Sequence, residues 1–290
     1  MSGFVLAHEA PIRLAVFFGV LAVMAVWELL APRRALTVSK ALRWTSNLGI
    51  VVLNTVVLRL VFPVAAVGVA ALAAGRGWGL LNAMELLFPL AVVLAIITLD
   101  LAIYLQHVMF HAVPALWRLH RMHHADLDFD VTTGARFHPL EILLSMGIKL
   151  GVVAALGPPV VAVVAFEVLL NATAMFNHSN VRLPLGLDRV LRWLVVTPDM
   201  HRVHHSVLPP EANSNFGFNL PWWDRLLGTY RAQPEAGQEA MAIGISQFRD
   251  AKYLRLDRML VQPFLGAAIG YPIQARHESQ PHRAEPARQS

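Results

Sequence analysis

The chain has 290 residues, 56% of them hydrophobic and only 15% charged, with a mean hydropathy of +0.51. Soluble domains carry about 25% charged residues, so the composition excludes an ordinary soluble domain and indicates an all-α integral membrane protein. A formal charge of +5 and a pI near 10.1 would suit nucleic acid, but the basic residues cluster beside apolar segments, as in the positive-inside pattern, so no nucleic-acid partner is expected. There is no cysteine. That removes disulfides, thiolate nucleophiles and Cys-ligated zinc or iron–sulfur centres, and leaves nitrogen and oxygen to hold any metal.

The first apolar segment, 14–31, contains a single charge, Glu28, and is followed by Pro32-Arg33-Arg34. Its basic cluster lies on the far side from that of a secretory signal, so a retained transmembrane helix is expected. Arg33, Arg34, Lys40 and Arg43 then mark a cytoplasmic loop. A second apolar segment, 48–74, exceeds the ~20 residues a bilayer requires and is interrupted by Arg59 and Pro63. Arginine at that depth must snorkel or find a partner. After a short external loop, 75–82, a third segment runs from 86 to about 105 and leads into Asp100, Tyr104, His107 and His111.

Residues 112–138 are polar. Two apolar arms of ~17 residues, 140–156 and 159–175, flank Gly157-Pro158-Pro159, which breaks a continuous helix. Two crossings and a re-entrant hairpin both fit. About four transmembrane helices or helical hairpins therefore carry a cytoplasmic, histidine-rich cap. Residues 183–196 read as an amphipathic interfacial segment, 206–230 as an ordered loop region, and 260–273 as an apolar patch too short to span. A single membrane domain covers 1–273, with N-terminal spans in 1–90 and a core in 95–230, and 274–290 has the composition of a disordered tail.

Ten of the thirteen histidines fall between 107 and 205. Eight form three groups: His107 and His111; His120, His123 and His124; His201, His204 and His205. The first is H-x3-H, so its members share a helix face. The others are H-x-x-H-H, whose three rings can lean toward one centre or toward two adjacent ones. A single ion takes three or four protein ligands, so this number of imidazoles implies two ions. Sulfur-free nitrogen surroundings suit iron, zinc, copper or nickel. His138 and His178 return to the same face and join the candidate ligands, whereas His8, His277 and His282 read as surface or tail residues. Asp126, Asp128 and Asp130 read as a solvated loop face, Arg121 and Arg202 as snorkelling or headgroup-binding residues, and Asp100 as a membrane-end charge or a support for a ligand.

The three boxes resemble those of the fatty acid hydroxylase / sterol desaturase superfamily of membrane histidine-box di-iron proteins. The surrounding residues agree: Phe137-His138-Pro139-Leu140-Glu141, Asn177-His178-Ser179-Asn180, Thr197-Pro198, Asn215-Phe216-Gly217 and Trp223-Asp224. The resemblance implies that two iron ions use O2 and external electrons to hydroxylate or desaturate a C–H bond of a membrane lipid or sterol. It implies that His107, His111, His120, His123, His124, His201, His204 and His205 are the ligands at the catalytic centre, with His138 and His178 as further metal-binding histidines. No cofactor beyond metal is indicated. The Asn215 and Trp223-Asp224 stretch would brace the third box. The chain has no visible haem domain and cannot hold an iron–sulfur cluster, so a separate reductase or electron carrier is expected as a partner. The short chain suggests a multi-pass bacterial inner-membrane protein. The rival reading is a redox-silent zinc protein, a membrane hydrolase or a lipid-binding scaffold, in which zinc occupies the same imidazoles.

Overall fold

A computed structural model describes residues 2–267 and Ile273. The remainder of the 260–273 patch and the 274–290 segment, with His277 and His282, lie outside the described residues. Among the described residues the architecture is all-helical, with two isolated β-bridges and no strand. Five helical segments of the described residues are long and apolar enough to cross a membrane: 7–30, 40–83, 88–112, 139–156 and 160–177.

Helix α1 (Ser2–Leu30) packs against α8 (Val160–Asn177). The second segment is a kinked unit: α2 (Lys40–Val61), α3 (Ala66–Arg76) and the short α4 (Leu80–Ala83). Pro63 interrupts it as its missing N–H requires. The lower half of α2 belongs to the cap rather than the bilayer: Asn47 donates to Thr132, and Asn54 donates to the Phe137 carbonyl at 2.9 Å. Arg59, nearer the end of α2, is exposed.

Helix α5 (Phe88–Ala112) brings the first box down to the cap. Val113-Pro114 then turns the chain sharply, because a residue before proline is driven to extended backbone, and Pro114 opens α6 (Pro114–His124) at its first turn. The two apolar arms form a hairpin of α7 (Pro139–Leu156) and α8, with Gly157 in the left-handed region at φ +62°. Gly79 packs directly on this corner: a Cβ there would lie 2.3 Å from the Gly157 nitrogen. The membrane core joins α3, α5, α7 and α8 through Val67, Leu99, Ile103, Val153, Val163 and Phe166, and reaches Phe218 beside the histidines.

The cap is built on buried polar contacts. Asp126, Asp128 and Asp130 are not a solvated face; all three are buried. Arg43 of α2 grips Asp126 in a two-pronged pair at 2.7 and 2.8 Å and also pairs with Asp130, while Asp128 accepts the backbone N–H groups of Thr37 and Val38. Arg43 and the Thr133 hydroxyl hold the Asp126 carboxyl down at about 2 against the opposing effect of burial. Arg121 and Arg202 are likewise internal. Arg121 donates to the carbonyls of Gln262 and Ala267, and Arg202 pairs with Asp199 and lies over the Phe129 ring. Glu28, the one charge in the first apolar segment, accepts the N–H groups of Val131 and Asn180 at 2.7 and 2.8 Å, tying α1 to the cap.

Candidate metal centre

Helix α9 (Leu185–Leu191) precedes the third box, which sits on α10 (Pro198–His204). Thr197 caps α10 by accepting from Met200 N, and Pro198 pre-sets its first turn. Nine histidines then converge, all buried, in two groups whose candidate ligand nitrogens lie within 4.8 Å of one another. The first holds His107, His111, His120, His124 and His204; the second holds His123, His178, His201 and His205. Each H-x-x-H-H box divides between the groups. The i, i+4 pair of box two (His120, His124) serves the first group and its middle histidine the second. Box three does the reverse, sending His201 and His205 to the second group and His204 to the first. The groups are adjacent: the His124 and His205 rings stack with centroids 4.6 Å apart.

The hydrogen bonds show what these rings are prepared to do. In the first group His107 Nδ1–H donates to the Phe216 carbonyl at 2.7 Å, His204 Nδ1–H to the Ser214 carbonyl at 2.8 Å, and His120 Nδ1–H to Glu141 at 2.6 Å. A neutral imidazole has one N–H, so the Nε2 atoms of these three rings carry bare lone pairs. Yet they face each other, His107 to His120 at 3.1 Å and His204 to His107 at 3.0 Å. His111 Nδ1–H donates to Asn213 Oδ1, and its Nε2 meets that of His124 at 3.1 Å. In the second group His178 Nδ1–H donates to the Ala174 carbonyl, and its Nε2 meets those of His123 and His201 at 3.2 and 3.1 Å. Converging lone pairs repel unless a cation lies between them. Two adjacent ligands about 2.1 Å from one ion stand roughly 3.0 to 3.4 Å apart, and the observed separations fit that donor set.

Burial also keeps the rings neutral, as ligation requires. Desolvation pulls His120 and His178 down to about 3 and holds His123, His124, His201, His204 and His205 well below the usual histidine value, with repulsion among neighbouring imidazoles adding to it. Phe137 stacks on His123 at 4.5 Å, Phe216 edges against His107, His111 and His204, and Trp117 packs on His111 and His124. These aromatic walls exclude water.

His138 is not brought to either group. It is the N-cap of α7: Nδ1 accepts from Leu140 N, and Nε2 bonds the Leu260 carbonyl, so both nitrogens are occupied by backbone. His8 stacks on Phe4, far along α1. Asp100 touches no histidine; it accepts from Asn219, Leu220 N and Trp223 Nε1 and anchors the loop after the third box. Asp224 accepts the N–H groups of Phe216 and Gly217, and Asn215, at φ 53°, donates to the Met200 carbonyl. Together they fix the carbonyls on which His107 and His204 rest. Glu141 was visible only as part of a motif; its place against His120 follows from the turn at Phe137–Pro139, and no spacing rule reveals it.

Residues 92–229 match the fatty acid hydroxylase family profile. This stretch is a fatty acid hydroxylase domain. It is similar to an ornithine lipid hydroxylase of Rhizobium tropici, 31% identical over 54% of this chain and 47% of that protein. It is also similar to the alkylglycerol monooxygenases of Xenopus tropicalis, 31% identical over 49% of this chain and 31% of the relative, and of Homo sapiens, 30% identical over 54% and 34%. The matched region spans about half or less of these relatives. No solved structure matches the chain. The matched stretch contains all nine histidines of the two groups.

Proposed function

We propose that the chain is a di-iron, O2-dependent hydroxylase of a membrane lipid, working at the cytoplasmic face, in bacteria the inner membrane. The observation that carries this reading is the pair of adjacent all-imidazole groups, five and four rings. The activities of the relatives, a lipid hydroxylase and alkylglycerol monooxygenases, favour hydroxylation over desaturation. His107, His111, His120, His124 and His204 would hold one ion, and His123, His178, His201 and His205 the other. Bound iron would supply the O2 and C–H chemistry that side chains cannot.

The chain's own contribution is positional. Backbone carbonyls and Glu141 fix the ring tautomers, with Nε2 aimed inward. Burial keeps the imidazoles unprotonated, and the aromatic walls keep water out. The apolar core ends at Phe218, 5.0 Å from the His107 ring centroid, so an alkyl chain entering from the bilayer meets the centre through apolar contacts. Electrons come from a separate reductase or carrier. A redox-silent zinc hydrolase would need a general base at the open position, and Glu141, the carboxylate at the centre, is bonded to His120.

The deciding measurement is metal content and O2 use of protein purified anaerobically from iron-replete cells. Two irons per chain, with O2 consumed only when reductant and a lipid extract are present and one lipid gaining a single oxygen, is the expected result. Zinc that iron-replete growth does not displace, with no O2 consumption, would refute it.

A further inference from the structure

One surface remains outside the function above. On α9 and the residues after it, the polar and apolar faces are reversed relative to a soluble protein. Asp188 and Arg192 point inward, bonded to each other at 2.6 Å, and are held by the Thr197 hydroxyl and the Ala232 carbonyl. Val190 and Trp193 point outward, 61% and 59% exposed. A second segment joins this face. It begins with Trp222, whose Nε1 donates to the Trp193 carbonyl at 2.8 Å. Arg225 of the same segment donates to the Arg192 carbonyl and lies 3.9 Å above the Trp193 ring, and Leu226 stands 74% exposed.

Two tethers fix the depth of this surface. The strand-like residue Val181 pairs with Pro32, and Arg182 N donates to the Ala31 carbonyl, so the segment begins where the first spanning helix ends. The loop carrying Trp222 is bound through Asn219 and Trp223 to Asp100, seven residues before His107 on α5 and therefore about 10 Å further toward the bilayer centre. The segment that carries the exposed apolar face thus starts beside the end of α1, where Leu29 and Leu30 are exposed as well. Tryptophans and arginines at its margin are the residues that sit at a membrane interface.

We propose that residues 185–194 and 222–227 form a monotopic plate inserted into the leaflet on the histidine side, with the acyl chains of that leaflet as its occupant. The plate holds the third box and its supporting loop at acyl-chain depth. The proposal rests on the membrane-spanning reading of the five apolar helices and not on the identity of the metal.

The absence of cysteine makes the test direct. Val190→Cys, Leu226→Cys and a control, Lys252→Cys on an exposed polar turn, each carry one fluorophore in the full chain, reconstituted in phosphatidylcholine–phosphatidylglycerol vesicles. Doxyl-labelled lipids should quench the Val190→Cys and Leu226→Cys labels several-fold more than aqueous iodide does, and the control should show the opposite order. Iodide quenching of either plate position equal to that of the control overturns the proposal. Protection of both from lipid and iodide alike also overturns it, because a second copy or another protein then covers the face.

Discussion

The two histidine groups share a cap but are not built alike. In the first, four of five rings have Nδ1 fixed: His107 and His204 on carbonyls, His111 on Asn213, and His120 on a carboxylate. In the second only His178 is fixed, by Ala174. His123 and His205 have Nδ1 atoms buried without a partner, and His201 Nδ1 approaches the Asn215 backbone without hydrogen-bond geometry. A ligand whose other nitrogen is held pays no ordering cost when the ion binds and is more basic. With an ion in each group, the first should therefore be the rigid, tighter centre and the second the adaptable one, whose looser ligands would let its coordination change in the proposed reaction.

The largest effects test whether there are two centres at all. His107→Ala and His123→Ala should each abolish O2-dependent activity, but metal counts should separate them. His123→Ala should retain one ion per chain, and His107→Ala should retain one held less tightly. Loss of both ions in each variant would show a single cooperative cluster. Next in size is graded chelation: the second ion should leave first, at a chelator concentration on the order of tenfold lower, the lower end of what supporting hydrogen bonds contribute. Simultaneous release would erase the distinction.

Acid should act in the same direction. The seven candidate ligand histidines outside the spanning helices are held below their ordinary value in the folded chain, two of them at about 3. Below a pH of about 6.5 the unfolded chain binds protons that the folded chain refuses. Their contribution to stability is thus complete above that value and falls as pH drops toward the folded values. Metal retention and thermal stability in detergent should fall together and steeply below about pH 6, with a flat plateau from 7 to 8. A gradual loss beginning above 7 would contradict the neutral, buried state of these rings.

The three boxes, the apolar segments and the Gly157-Pro158-Pro159 break were legible because each rests on local spacing: helix periodicity, span length and the missing N–H of proline. What the sequence did not disclose depends on long-range pairing. Asp126 and Asp130 read as solvated until Arg43, more than eighty residues away, is placed between them. Arg121 read as a snorkelling or headgroup-binding residue because most of its acceptors are backbone carbonyls, which leave no mark in a sequence, and Arg202 read so because nothing in the motif shows that Asp199 and the Phe129 ring enclose it. The two-to-one division of each H-x-x-H-H box follows from helix geometry once α6 and α10 face each other, but nothing in the motif says how they face. His138 looked equivalent to His178, yet one caps a helix and the other faces a centre.

Glu141 marks the sharpest difference between the groups, since His120 is bonded to a carboxylate whereas the other fixed rings rest on neutral oxygens. Glu141→Gln keeps a hydrogen-bond partner and removes the charge. The first centre should then lose affinity by 10- to 100-fold while the second ion is unaffected and the protein folds. Equal weakening of both ions would show that Glu141 acts on the cap as a whole.

The smallest effect is aimed at the one brace the second group possesses. Gly134 faces the end of α8 closely: a Cβ there would lie 2.7 Å from the Ala174 carbonyl oxygen and 3.2 Å from His178 Nδ1. Gly134→Ala therefore presses on the acceptor and the donor of a single hydrogen bond without adding charge or removing a ligand. The second ion should become several-fold easier to remove, the first should not change, and the melting temperature should fall by only a few degrees, equivalent to about 1 kcal/mol. If His178 were already free of Ala174 in solution, the methyl group would meet nothing that matters to the metal, and both ions would be retained as in the parent chain.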